Sequence, residues 1–354
     1  RTATSTRVLE IDTTSKSGAF LDAVTDLTAT LDGQTFAFTR TYNSLAASAT
    51  GLLGYGWTLA GADAHLSSTV LPSAGANTLP NPFAVGTRVY VDLPDGTRAG
   101  FTFTPLLHTV GAVSYYTPGF TADPGVSYTL STTPAQLSLV NGSFYQLGTG
   151  LPYNPASGGF GAYAYILTAP GGRAYDYAAD GKLRQIVSGG LTFIWSGSGL
   201  IGPDGSRITF QLDGSGRLTS ATGPDGTQVH YTYDAAGNLT AVNHGAYAYG
   251  ANHLLTLALD DTPSAAAYDA QGNLTMSGPV LATLALGQSN SNTLIAGSTA
   301  FYAARVSAAE LASSGGQVTL GFDAFHGGVH SVNFLTVTAP GAVLLPLAGF
   351  SGAY

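Results

Sequence analysis

Seven histidines and twenty carboxylates carry whatever acid–base or metal chemistry this 354-residue chain could perform. His326 and His330 stand four apart, a spacing that holds zinc when both residues sit on one helix. Here they flank Gly327-Gly328, which puts them across a turn, and no cysteine or nearby glutamate completes a ligand set. His65, His108, His230, His244 and His253 are scattered singly. The carboxylates sit almost all in turns: Asp95, Asp204, Asp225, Asp234 and Asp269 each precede or approach a glycine. An aspartate so placed bonds the local backbone while the glycine supplies positive φ. Stacked aspartate turns could alternatively line up oxygens for calcium, although the Asp-x-Asp-x-Asp density of calcium loops is missing. No other cofactor is expected.

Nucleophilic chemistry has no visible framework. No Gly-x-Ser-x-Gly elbow, Gly-rich phosphate loop ahead of a helix or dinucleotide fingerprint occurs, so no catalytic residue is expected. The aromatics are then the binding candidates. Tyr175 and Tyr177, Tyr231 and Tyr233, and Tyr247 and Tyr249 form i, i+2 pairs that share one face of a strand. Exposed, such a ladder stacks sugar rings. Buried, it makes cross-strand core pairs worth roughly 0.2–1 kcal/mol each over alanine. Burial is the expected role, and surface glycan is the alternative partner.

The elements that must position these residues repeat along the chain. Gly202-Pro203-Asp204-Gly205 returns 21 residues later as Gly223-Pro224-Asp225-Gly226. Each is followed by an alternating run, Arg207 to Phe210 or Gln228 to Tyr233, and then by a second turn, Asp213 to Gly216 or Asp234 to Gly237. The unit is strand, turn, strand, turn, and such a hairpin buries its apolar face only by stacking on copies of itself. Tyr177 to Leu183 keeps the aromatic, the Asp-Gly turn and the leucine. Tyr268-Asp269-Ala270-Gln271-Gly272-Asn273-Leu274 is nearly a copy of the segment from Tyr233 to Leu239.

On these motifs the chain resembles the YD-repeat family of Rhs proteins, toxin-complex C components and teneurins, in its bacterial extracellular form. Phe36 to Ser44, followed by Gly54-Tyr55-Gly56-Trp57, is similar to the segment that leads into such repeats. The resemblance implies antiparallel YD-repeat hairpins in an open curled sheet and tyrosines used structurally. Rhs toxins also carry an Asp-Pro self-cleavage motif near the end of their shell. Here the one Asp-Pro is Asp123-Pro124, upstream of the repeats, so that activity does not carry over.

Composition agrees with an all-β chain. Charged residues make up 9%, the lysines are Lys16 and Lys182, and the glutamates are Glu10 and Glu310, too few for exposed helix faces. At most one short helix is expected, near 307–314, where Ser307 and Glu310 form a capping-box pattern. Asp32-Gly33 marks a hairpin within residues 20–45. The expected division is a β-rich N-terminal region at 1–168, repeat hairpins at 169–279 and a β-rich C-terminal region at 280–354. A net charge of −8 excludes nucleic acid as a partner, and no stretch is long and apolar enough to cross a bilayer as a helix. Absent cysteine, together with low charge, points to an extracellular or cell-surface protein. Its apolar C-terminal strand (Val343, Leu344, Leu345, Leu347, Phe350) and its N-terminal strand (Leu9, Ile11) suit strand exchange between copies. The function read from all this is a non-enzymatic structural protein that polymerises with itself into a filament, sheath or layer. A fragment of a toxin-encapsulating shell and a glycan-binding adhesin are the alternatives.

Overall fold

Short alternating runs closed by Asp/Gly turns satisfy their backbone groups only by pairing with the next run. The computed structural model shows that pairing throughout. It describes residues 18–62, 64–71, 79–284, 299–306, 308–326, 329–337 and 341–348. The fold is all-β, and Ala308–Ser313 is the one α-helix among the described residues. Strand pairs are antiparallel except for Leu274–Leu284 with Thr299–Val306, which run parallel. The described chain divides into two units. One holds residues 23–42 and 49–232; the other holds 18–22, 43–48 and the described residues from 233 onward.

In the first unit the strands Tyr165–Thr168, Ala174–Tyr177, Leu183–Ser188, Leu191–Ser196, Gly199–Ile201, Arg207–Leu212, Leu218–Thr222 and Gln228–Tyr233 lie side by side in chain order, with Thr129–Ser131 ahead of them. Alternation gives this repeat sheet one wet face and one dry face. Ile208 and Phe210 are buried while Arg207, Thr209 and Gln211 are exposed; Val229 and Tyr231 are buried while Gln228, His230 and Thr232 are exposed. Only a one-sided sheet reads this way.

The dry face is covered by a lead-in sheet formed from Leu21–Leu31, Gln34–Asn43 and Trp57–Leu59. Asp32 and Gly33, at φ 47° and 73°, close its first hairpin in the left-handed conformation that matches strand twist. Phe36 meets Phe193 edge-on at 4.7 Å, and Phe38 lies 6.0 Å from Trp195 and 5.7 Å from Phe210. Burying each such ring contributes about 1.5–3 kcal/mol. One polar cluster fixes the register of the two sheets. Arg40 Nε donates to both oxygens of Asp26, at 2.9 and 3.0 Å, with both side chains 2% exposed. The guanidinium stands 4.7 Å from the Trp57 ring, and the Tyr231 hydroxyl donates to Asp26 Oδ2 at 3.1 Å.

Two smaller sheets complete this unit. Ser67–Ser68, Arg88–Asp92, Arg98–Phe103 and Phe120–Ala122 make one, and Leu106–Val110, Val113–Thr117, Leu137–Val140 and Ser143–Gln146 the other. Phe83, Phe103, Phe144 and Tyr153 pack between them with mostly edge-to-face rings 5.4–5.9 Å apart. In the second unit Leu239–Val242, Gly245–Tyr249, Leu255–Leu259, Ser264–Tyr268, Leu274–Leu284, Thr299–Val306 and Gly341–Ala348 follow in order, around a small core of Leu257, Ala265 and Val280. The apolar C-terminal segment therefore pairs along one edge within its own chain. Val343 stands opposite Ala304, Leu344 opposite Ala303, Leu345 opposite Tyr302 and Leu347 opposite Ala300. Leu9, Ile11 and Phe350 lie outside the described residues.

Replacing Arg40 by Ala strands the Asp26 carboxylate between two sheets, which typically costs about 3–5 kcal/mol. Urea unfolding of Arg40→Ala is expected to show a loss of that order. A variant as stable as the parent would place the register elsewhere.

Candidate functional site

The aspartate turns of the two kinds share one geometry. In the Gly-Pro-Asp-Gly turns, Gly205 N–H donates to Gly202 O and Gly226 N–H to Gly223 O, both at 3.1 Å. In the Asp-x-x-Gly turns, Gly237 N–H donates to Asp234 O at 3.1 Å and Gly272 N–H to Asp269 O at 3.0 Å. The first residue of each turn also donates to the carbonyl four residues on: Gly202 to Ser206 and Gly223 to Thr227 at 2.8 Å, Asp234 to Asn238 and Asp269 to Asn273 at 3.0 Å. This is a type I turn closed by a bulge, in which the fourth residue must be left-handed. Gly237 has φ 91°, and Gly205, Gly226 and Gly272 have 87°, 85° and 84°.

What differs is where the carboxylate enters. Third in the turn, Asp204 accepts from Ser206 N–H at 2.7 Å, and Asp225 from Thr227 N–H at 3.0 Å and its hydroxyl at 2.8 Å. First in the turn, the aspartate reaches four residues ahead. Asp234 accepts from the Asn238 backbone and side-chain amides at 2.9 and 2.8 Å. Asp269 does the same with Asn273 at 2.8 and 2.9 Å, and Asp213 takes Arg217. These bonds hold the carboxyls below their ordinary value: backbone and side-chain donors of Arg217 at Asp213, of Thr227 at Asp225, and the side-chain then backbone amide of Asn273 at Asp269. At Asp234 burial pulls upward, and the Asn238 hydrogen bonds outweigh it. Among the described residues no three His, Asp or Glu side chains gather as a ligand set.

The tyrosines face inward. Tyr177 is wholly buried and pairs with Leu183 across its turn, and Tyr231 is buried over Asp26. Tyr268 pairs with Leu274 in the same way, half-buried, and donates to Leu255 O at 3.1 Å; Tyr233 is half-buried. Burial pushes the hydroxyls of Tyr153 and Tyr165 well above the usual phenol value, so neither serves as an acid or base near neutrality. His326 and His330 sit on a hairpin of Val318–His326 and Val329–Val337, where His330 stands opposite Phe325 and His326 opposite Val329.

Two clusters escaped sequence reasoning because strand pairing brings their members together. His65 Nδ1 lies 2.6 Å from Asp92 Oδ2; Asp92 Oδ1 takes Arg98 at 2.5 Å, and Arg98 also donates to the Ser67 hydroxyl at 2.8 Å. A His–Asp pair is half of a nucleophile-activating triad. Here the serine is held by the arginine, and the cluster clamps two strands to the loop before them. A shallow space of about 300 Å³ lies beside the turn at 169–171 and is lined by Arg173, Tyr175 and Ser188. Its arginine is committed: it donates to Thr35 O at 2.7 Å and to Ser188 Oγ at 3.3 Å, and covers the Phe36 ring at 4.8 Å.

Comparison with known families bears on both layers of the first unit. The RHS repeat model matches residues 199–228 and 213–249, which hold the turns of Asp204, Asp213, Asp225 and Asp234. A domain of unknown function, DUF6531, matches residues 14–69, which hold the lead-in sheet. A search of curated proteins finds no match.

Valine at 237 must adopt a φ that branched side chains resist, at roughly 1–3 kcal/mol. Gly237→Val is expected to lose that much in denaturant unfolding, and an unchanged midpoint would mean a different turn. Acid should find the same turns. A lowered carboxyl contributes its full stability above the unfolded value of 3.8, and that contribution is withdrawn as pH falls through the depressed values. The unfolding midpoint is therefore expected to drop below pH 3.8. The drop should be shallower when Asp213, Asp225, Asp234 and Asp269 are all replaced by Asn; an equally steep fall would exonerate the turns.

Proposed function

From an RHS-repeat protein whose repeats lie under a lead-in sheet, we propose a structural, non-enzymatic component, secreted or held at the cell surface. It assembles with copies of itself through β-strand contacts into a filament, sheath or layer. The observation that carries this reading is the commitment of the side chains that could do chemistry. The repeat aspartates accept the N–H groups of their own turns, and Tyr177 and Tyr231 are core residues. A repeat so occupied supplies shape and strand edges. It needs no cofactor, calcium included, and its partner is a second copy of the chain rather than a glycan. Among the described residues, the outer side of Gly341–Ala348 has no paired strand, as a chain built to extend would have. No described helix is long and apolar enough to cross a membrane.

Negative-stain microscopy of the purified chain is expected to show filaments or sheets. Removal of residues 340–354 or 1–13 should abolish them while the circular dichroism of the subunit is retained. Closed hollow particles would instead favour the shell reading, and binding of the monomer to a glycan array the adhesin. A chain that stays monomeric at every concentration would overturn the proposal.

A further inference from the structure

Among the described residues, the largest concentration of exposed aliphatic side chains lies on one small sheet of the first unit. Leu106, Leu107, Val110 and Val113 are 60%, 58%, 66% and 58% exposed, and Leu139 and Val140 lie on the same sheet, also exposed. Neighbouring residues of a strand point to opposite faces. With both Leu106 and Leu107 more than half exposed, the strand Leu106–Val110 is therefore open on both sides. It is also the outermost strand, in the order Ser143–Gln146, Leu137–Val140, Val113–Thr117, Leu106–Val110. Among the described residues no strand pairs with its outer edge.

Proteins normally guard such an edge with a charge, a proline or a bulge. This strand has none of these. Its five pairs with Val113–Thr117 run without a register shift. From Ala99 to Gly172 the one Asp, Glu, Lys or Arg is Asp123, and Arg88 holds it at 2.6 Å. Isolated exposed leucines such as Leu45 are ordinary, whereas an apolar patch on an unguarded edge marks an interaction surface.

We propose that Leu106–Val110 is a homotypic docking strand, which pairs antiparallel with the same strand of a second copy across a two-fold axis. It rests on the self-assembly reading above and names a contact for it. A charged partner would find no counter-charge here. Two chains of net charge −8 meet with least repulsion where neither presents charge. A lipid surface would leave the outward N–H and C=O groups of the edge unpaired in hydrocarbon. A second copy supplies both halves of what the strand lacks, a hydrogen-bonding ladder and apolar side chains on both faces. Such a contact closes on itself, so it makes the pair; a filament needs a further contact elsewhere.

Sedimentation velocity over a concentration series tests this on the full chain, comparing the parent with Leu107→Lys/Val110→Lys and with Leu45→Lys as control. The parent is expected to form dimers. The double variant should associate roughly tenfold or more weakly, with an unchanged thermal midpoint, and Leu45→Lys should behave as the parent. Should the double variant lose its circular dichroism signature, Thr109→Lys replaces it with the same expectation. A parent that never dimerises, or a folded double variant that dimerises as well as the parent, overturns the proposal. Polymers that persist alongside undiminished dimers in the double variant reject this contact and leave the assembly reading standing; dimers lost in the double variant, with no polymer from the parent, do the reverse. A monomeric parent that floats with phosphatidylcholine vesicles, and ceases to when Leu107 and Val110 are lysine, would assign the strand to lipid and overturn the proposal.

Discussion

A sheet built from hairpins that alternate apolar and polar residues has one face that water must not reach, and each added hairpin extends that face. In the first unit the burden falls on the lead-in sheet. Phe36 and Phe38 fill the space over Phe193, Trp195 and Phe210, and the Asp26–Arg40 pair, with Trp57 and Tyr231 around it, sets where the two layers lock. Two buried charges among aromatic rings are tolerated only when geometry and hydrogen bonding are both satisfied. Arg40 uses a single nitrogen to reach both Asp26 oxygens, and Tyr231 adds a third donor. The repeat strands are therefore only as well placed as the segment that precedes them by more than a hundred residues.

The turns carry the other half of the arrangement, along the sheet instead of across it. One backbone geometry serves every repeat, and aspartate is used in either of two positions to cap it. Such a turn shapes the chain without help from a distant residue, so the hairpins can drift in sequence and still stack. It also sets the electrostatics of the repeat carboxylates. A carboxylate that accepts two or three local N–H groups has its proton affinity lowered, and it is a weaker general base for it. The His65–Asp92–Arg98 cluster follows the same logic, with its charges spent on holding strands to a loop.

Sequence by itself determined what depends on adjacent residues. The all-β class, the 21-residue hairpin period, the left-handed Gly237, the capping by Asp234 and the hairpin at Asp32-Gly33 all follow from turn chemistry confined to four or five residues, and so were legible in the chain. The short helix near Glu310 was legible for the same reason. Burial is another matter, because it depends on what comes to lie on a face. Alternation showed that Tyr231 and Val229 share a side, but nothing local says that Asp26, 205 residues away, will meet the Tyr231 hydroxyl. Nothing local marks Leu106, Leu107, Val110 and Val113 as exposed, and only the tertiary structure leaves them in water, at the outer edge of their sheet. The apolar strand at 343–348 read as one offered to another chain, and the fold gives one of its edges to Thr299–Val306. Local dihedral preference and turn hydrogen bonds are encoded where they act, whereas the partner of an apolar face is set by the path of the whole chain.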